Sequence, residues 1–148
     1  MDTRVFFTYP NAAAEPAASA PGFLEDCGER EWNTLLSHMQ TRNLRAGEIV
    51  FAEGDLDRAL YLLTVGRVEL SGAHSPPATV EAPAPLGELA FIDADRQPAT
   101  ARALTSGEVL RLSFDAFESL AAREPHLATR ILLDLGRVLA ARLRTAPT

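Results

Sequence analysis

The sequence predicts one mainly β domain, a barrel or roll with helices at both ends, and three observations carry that prediction. Between Leu44 and Gly72 the apolar residues run with a period of two in short stretches, EIVFA, ALYLLTV and RVEL. The turns AG, EGD and VG separate these stretches at intervals of roughly eight to twelve residues, as in an all-β barrel and unlike βαβ units. On either side of the glycine-punctuated region the apolar period becomes helical. A chain of 148 residues with 47% hydrophobic and 23% charged residues has the size and composition of one globular domain.

Taken in order, residues 1–22 read as a disordered tail, because the run NAAAEPAASAPG from Asn11 to Gly22 is Ala/Pro-rich and without apolar period. The domain then occupies 23–148. Trp32, Leu35, Leu36 and Met39 fall on one stripe of a helix spanning about 24–40. The roll follows over about 42–113, with Gly47, Gly54 and Gly66 supplying corners of positive φ. The Pro-rich stretch Ser71–Pro85 reads as a loop around one short strand near Thr79–Glu81. TARAL and EVLRLS predict strands near 100–104 and 108–113. Ser113 is a natural N-cap for the helix that begins FDAFESL. Pro125 suits the first turn of a last helix, ending near 144, that turns Leu127, Ile131, Leu135, Val138 and Leu139 to the core.

Several functional classes drop out. All fourteen basic residues are arginine and the net charge is −6, the opposite of a nucleic-acid-binding face. A lone cysteine, Cys27, excludes a disulfide framework and suits a reducing cytoplasm. The apolar run Val5–Phe7 is too short for a signal peptide, and nothing approaches the roughly 20 residues of a membrane span. His38, His74 and His126 have no metal-ligand spacing, and no nucleophile–base arrangement is apparent, so neither a metal site nor catalytic residues are expected.

The string A-G-E-I-V-F-x-x-G-D-x-x-x-x-L-Y-x-L-x-x-G-x-V-E-L (Ala46–Leu70), then L-G-E-L-A-F (Leu86–Phe91) and A-T-x-R-A (Ala99–Ala103), resembles the cyclic nucleotide-binding domain family over about Phe23–Arg144. The resemblance implies a double-stranded β-helix, a jelly-roll-like β-roll, with a loop–helix insertion that binds phosphate and a C-terminal helix that serves as lid or dimer strut. It also implies a non-catalytic regulator with no cofactor, whose ligand is cAMP or another cyclic nucleotide or a similar small anion.

The same resemblance assigns the ligand-binding positions Gly87, Glu88, Leu89, Ala90, Arg96, Gln97, Ala99 and Thr100. Gly87 permits close backbone approach, and Glu88 is the ribose carboxylate. The family's phosphate-binding arginine lies nine residues after that glutamate, where this chain has Gln97. Arginine suits the task because its planar fork holds two oxygens at once. Gln97 offers one neutral donor instead, and Pro98 removes a backbone N–H. Losing a partner of a buried charge costs roughly 2–5 kcal/mol, which weakens a micromolar site towards millimolar. Arg96 either swings in as a replacement or remains a solvated loop residue. Pro98 stands where cGMP-selective relatives carry a hydroxyl, which favours cAMP.

Arg130, Arg137 and Arg144 recur every seven residues, forming either a solvated face or a docking stripe. Leu132 and Leu139 form a second apolar strip, which suggests a homodimer through the last helix, with Asp134 of one chain facing arginines of the other. The chain ends at Thr148 without a helix-turn-helix segment, giving the expectation of no direct DNA binding, and the lack of a long apolar run gives the expectation of no membrane contact. Two functions follow: a weak cyclic nucleotide sensor, or a ligand-independent dimerisation or docking module acting on a partner enzyme or transporter.

Overall fold

A computed structural model describes residues 23–145. The expected tail of residues 1–22 lies outside the described residues. Eight strands form two antiparallel four-stranded sheets. In chain order they are β1 Gln40–Leu44, β2 Ile49–Phe51, β3 Ala59–Val65, β4 Arg67–Gly72, β5 Ser75–Glu81, β6 Ala84–Leu86, β7 Thr100–Ala103 and β8 Gly107–Ser113. One sheet has the order β1-β8-β3-β6 and the other β2-β7-β4-β5, the jelly-roll-like β-roll expected. Helices α1 (Glu29–Ser37), α2 (Glu88–Asp93), α3 (Phe114–Arg123) and α4 (Pro125–Thr145) complete the domain.

Chain chemistry explains the strand pattern. The β3 run ALYLL is apolar without alternation because both its faces are covered. Tyr61 and Leu63 point into the roll with Phe51, Val68, Leu70 and Leu86, whereas Leu60 joins Phe91, Leu112, Phe117 and Ile131 beneath the helices. Burying each large apolar side chain contributes about 1.5–3 kcal/mol. Gly47, Gly54 and Gly66 all have positive φ. At Gly66 a Cβ would lie 2.7 Å from the Ser106 carbonyl oxygen, so a tight crossing adds to the turn requirement.

Some boundaries differ from expectation. The first helix is shorter than 24–40, because Leu24 adopts φ 56° and the helix starts only after Gly28, whose N–H donates to Glu31 Oε1 at 3.4 Å. The stretch Ser71–Pro85 holds two strands rather than one. Both are edge strands, where a proline's missing N–H breaks no ladder bond. Ser113 caps α3 as expected, its hydroxyl accepting from Ala116 N–H at 3.1 Å. In α4, Leu127, Ile131, Leu135 and Val138 are buried, while Leu139 is only half-buried. Leu132, Leu133 and Leu143 are exposed. Asp134 is not available to a second chain. It is buried, accepts from Leu24 N–H at 2.9 Å and pairs with Arg137 at 2.8 Å. Arg130 likewise turns inward to Glu31 at 2.7 Å, which holds that carboxyl below its usual range.

Candidate functional site

The segment between β6 and β7 is built around Gly87. Its φ of 74° lets the chain turn directly into α2, and a Cβ there would approach Ala59 O at 3.1 Å, Gln97 Nε2 at 3.2 Å and Tyr61 Cδ1 at 3.3 Å. Only glycine meets both conditions without strain. Helix α2 is anchored by Phe91, which stacks edge-on against Phe114 and Phe117 at centroid distances of 5.6 and 5.3 Å. Arg58 holds its other end, donating from Nε to Phe91 O at 2.9 Å while its guanidinium lies 3.4 Å from the Phe114 ring centroid.

Phe51, Leu70, Gly87, Glu88, Leu89, Gln97, Pro98 and Ala99 surround a cavity of about 20 Å³. That is room for about one water, whereas small-molecule sites span roughly 300–1,000 Å³. Glu88 is 1% exposed and ion-paired to Arg142 of α4, itself 1% exposed. An isolated carboxylate at that depth would cost several kcal/mol, and the guanidinium offsets that cost.

Gln97 is also buried, at 2% exposure. Its N–H donates to Asp55 O at 2.9 Å and its carbonyl accepts from Gly54 N–H at 2.8 Å. Its Nε2 donates to Asp57 O at 3.1 Å. A carbonyl only accepts, so this bond fixes the amide orientation and leaves Oε1 as the remaining polar group. That oxygen has no hydrogen-bond partner among the described residues. Position 97 is therefore a strut between the two loops.

Asp57 extends the strut outward. Its carboxylate pairs with Arg111 at 2.7 Å and accepts from the Tyr61 hydroxyl. Burial, then the Asp57 hydrogen bond, pushes the Tyr61 phenol up to about 12. Asp57 and Arg111 border a hollow of about 340 Å³ with Arg58, Ser113 and Asp115.

The structure brings Gly87, Glu88, Leu89, Gln97 and Ala99 together around the cavity. Ala90 instead lies in the core at 0% exposure. Arg96 is exposed and does not swing in; its Nη1 donates to Gly54 O at 2.9 Å, away from the cavity. Thr100 Oγ1 accepts from Glu53 N–H at 2.9 Å. Sequence reasoning missed Arg142. A signal was present: stepping from Leu127 through Ile131, Leu135 and Val138 brings the core-facing stripe to position 142, where a charge requires a buried partner. Cys27 is half-buried beside Arg130, and burial pushes its thiol up.

The profile of the family described as "Cyclic nucleotide-binding domain" matches residues 41–124. The chain is 33% identical over 121 residues to a cyclic AMP receptor protein of Thermus thermophilus, covering 78% of this chain and 54% of that one. It is 30% identical to a CRP-like cAMP-activated global transcriptional regulator of Mycobacterium tuberculosis, covering 74% and 50%. Among solved structures, a cyclic nucleotide-binding domain from Methylobacillus flagellatus superposes with a TM-score of 0.74 at 30% identity, covering 80% of this chain and 70% of that one. The chain thus spans about half the length of the curated relatives it matches. The expectation of no direct DNA binding is thereby overturned, because a relative about twice as long as the matched segment is a transcriptional regulator. Charge and the position of Thr148 describe only this stretch. No described helix is long and apolar enough to cross a membrane.

Proposed function

We propose that this chain, which belongs to the cyclic nucleotide-binding domain family, is a non-catalytic regulatory domain that recognises cyclic nucleotides weakly. The observation that carries this reading is Gln97, which fills the phosphate-donor position as a buried strut beside a cavity of about 20 Å³. A phosphate entering there meets a neutral amide already bonded to Asp57, a proline without an N–H, and a carboxylate already paired with Arg142. Affinity in the high-micromolar to millimolar range follows from loss of the charged fork, at roughly 2–5 kcal/mol. Among cyclic nucleotides cAMP is favoured over cGMP, since Pro98 offers no hydroxyl. The similarity to cAMP-responsive regulators supports the regulatory class.

The test is repair of the motif by Arg96→Pro, Gln97→Arg and Pro98→Ala together. The fork and the recovered N–H are each worth on the order of 1–3 kcal/mol, so cAMP affinity should rise at least tenfold by calorimetry. A folded triple variant with no gain would place the block elsewhere.

A further inference from the structure

The hollow of about 340 Å³ beside Asp57 has the size of a small-molecule site, which the cavity at Gln97 lacks. Its walls carry both signs of charge. Arg58 and Arg111 are each pinned along one edge. Arg58 donates through Nε to Phe91 O at 2.9 Å and through Nη2 to Ile92 O at 3.4 Å. Arg111 donates through Nη2 to Asp57 Oδ1 at 2.7 Å and through Nε to the Tyr61 hydroxyl at 3.3 Å. Nη1 of each guanidinium keeps its donors without a hydrogen-bond partner among the described residues, so two braced arginines border one hollow. The Asp57 carboxylate is balanced by Arg111 and the Tyr61 hydroxyl. Asp115, in the first turn of α3, is exposed and has no ion-pair partner among the described residues. The rest of the wall is apolar. Leu56 is 72% exposed, more than any other large apolar side chain among the described residues, and the half-buried Phe114 ring lies under the Arg58 guanidinium.

We infer that this hollow is a second ligand site, and that its ligand is a free α-amino acid with an apolar side chain. A carboxylate would take the remaining donors of Arg58 and Arg111, for which a planar fork is well suited. An ammonium group would face Asp115, and the side chain would cover Leu56. Ligands of one sign fit less well: a simple anion meets Asp115, and a simple cation meets two guanidinium groups. The site is separate from the cavity at Gln97, yet it shares residues with the frame around that cavity. Asp57 O holds Gln97 Nε2, and Arg58 holds the last carbonyls of α2. An occupant of the hollow would therefore rest on the two residues that brace both ends of the nucleotide segment.

The experiment titrates L-leucine into the wild-type chain, read by calorimetry and by backbone amide shifts in nuclear magnetic resonance. N-acetyl-leucine, which lacks the ammonium, and leucinamide, which lacks the carboxylate, serve as comparisons. We expect one-to-one binding of leucine that saturates below about 10 mM, as suits so small a ligand. Both blocked compounds should bind at least about tenfold more weakly, the loss expected for one charge-assisted contact. The shifting amides should include Leu56, Phe114 and Asp115. Asp115→Asn should weaken leucine several-fold while leaving N-acetyl-leucine unchanged. No saturation by leucine, equal binding of leucine and either blocked compound, shifts confined to Gly87 and Gln97, or unaltered leucine binding in Asp115→Asn would each overturn the inference. Should that variant fail to fold, the blocked compounds on wild type decide the matter alone. No nucleotide is present in these titrations, so tight cAMP binding would sink the proposed function and leave this inference standing.

Discussion

Replacing Arg142 by methionine removes the guanidinium while keeping most of the stem volume, so it isolates the charge pair from packing. Glu88 and Arg142 are each 1% exposed, which places the pair beyond the screening that makes surface ion pairs nearly worthless. Removing one partner of such a pair leaves a buried charge uncompensated and costs about 3–5 kcal/mol. For a domain of this size each kcal/mol moves the melting temperature by about 3–5 °C, so Arg142→Met should melt roughly 10–20 °C below wild type. Glu88→Met/Arg142→Met removes both charges and should recover most of that loss, because buried pairs replaced by apolar residues are often neutral. Urea and thermal unfolding followed by far-ultraviolet circular dichroism close the double-mutant cycle. A loss below about 1 kcal/mol in Arg142→Met, with no recovery in the double variant, would refute the claim that the end of α4 is seated on α2 by charge.

Gly87→Ala should lose about 1–3 kcal/mol in urea unfolding, because φ 74° is left-handed and the added Cβ would crowd Ala59 O and the Gln97 amide; an unchanged midpoint would mean the turn relaxes freely. The Tyr61 phenol titrates near 12 in the folded chain against about 10 when unfolded. Its proton is therefore held more tightly by the folded state, so its contribution is intact below pH 10 and lost as pH rises towards 12. Tyr61→Phe should flatten that alkaline decline, and an identical decline in the variant would remove Tyr61 as its source.

The roll was legible because its signals are local. Period-two runs and glycine corners at Gly47, Gly54 and Gly66 are backbone requirements that residue type reveals directly. The Ser113 cap is local in the same way. The edge strand β6 and the first half of β5 were obscured because proline reads as a breaker until the strand's place at a sheet edge is known, and only the end of β5 near Thr79–Glu81 was read. At the site, the positions of Glu88 and Gln97 followed from motif spacing, but their partners did not. Glu88 meets Arg142 across 54 residues and Gln97 meets Asp57 across 40, separations that no periodicity spans. The arginine heptad Arg130, Arg137 and Arg144 drew attention instead, whereas the arginine that reaches the site lies off that register on the core stripe.

The central claim is that position 97 holds the site together in place of gripping a phosphate. Calorimetric titration of cAMP into the wild-type chain tests it most directly. Weak heat that does not saturate below the high-micromolar range is the predicted result, in keeping with a fork loss of roughly 2–5 kcal/mol. One-to-one binding with a dissociation constant near a micromolar or below would contradict it, because in a site closed by Gln97, Pro98 and the Glu88–Arg142 pair the guanidinium is already engaged by a carboxylate.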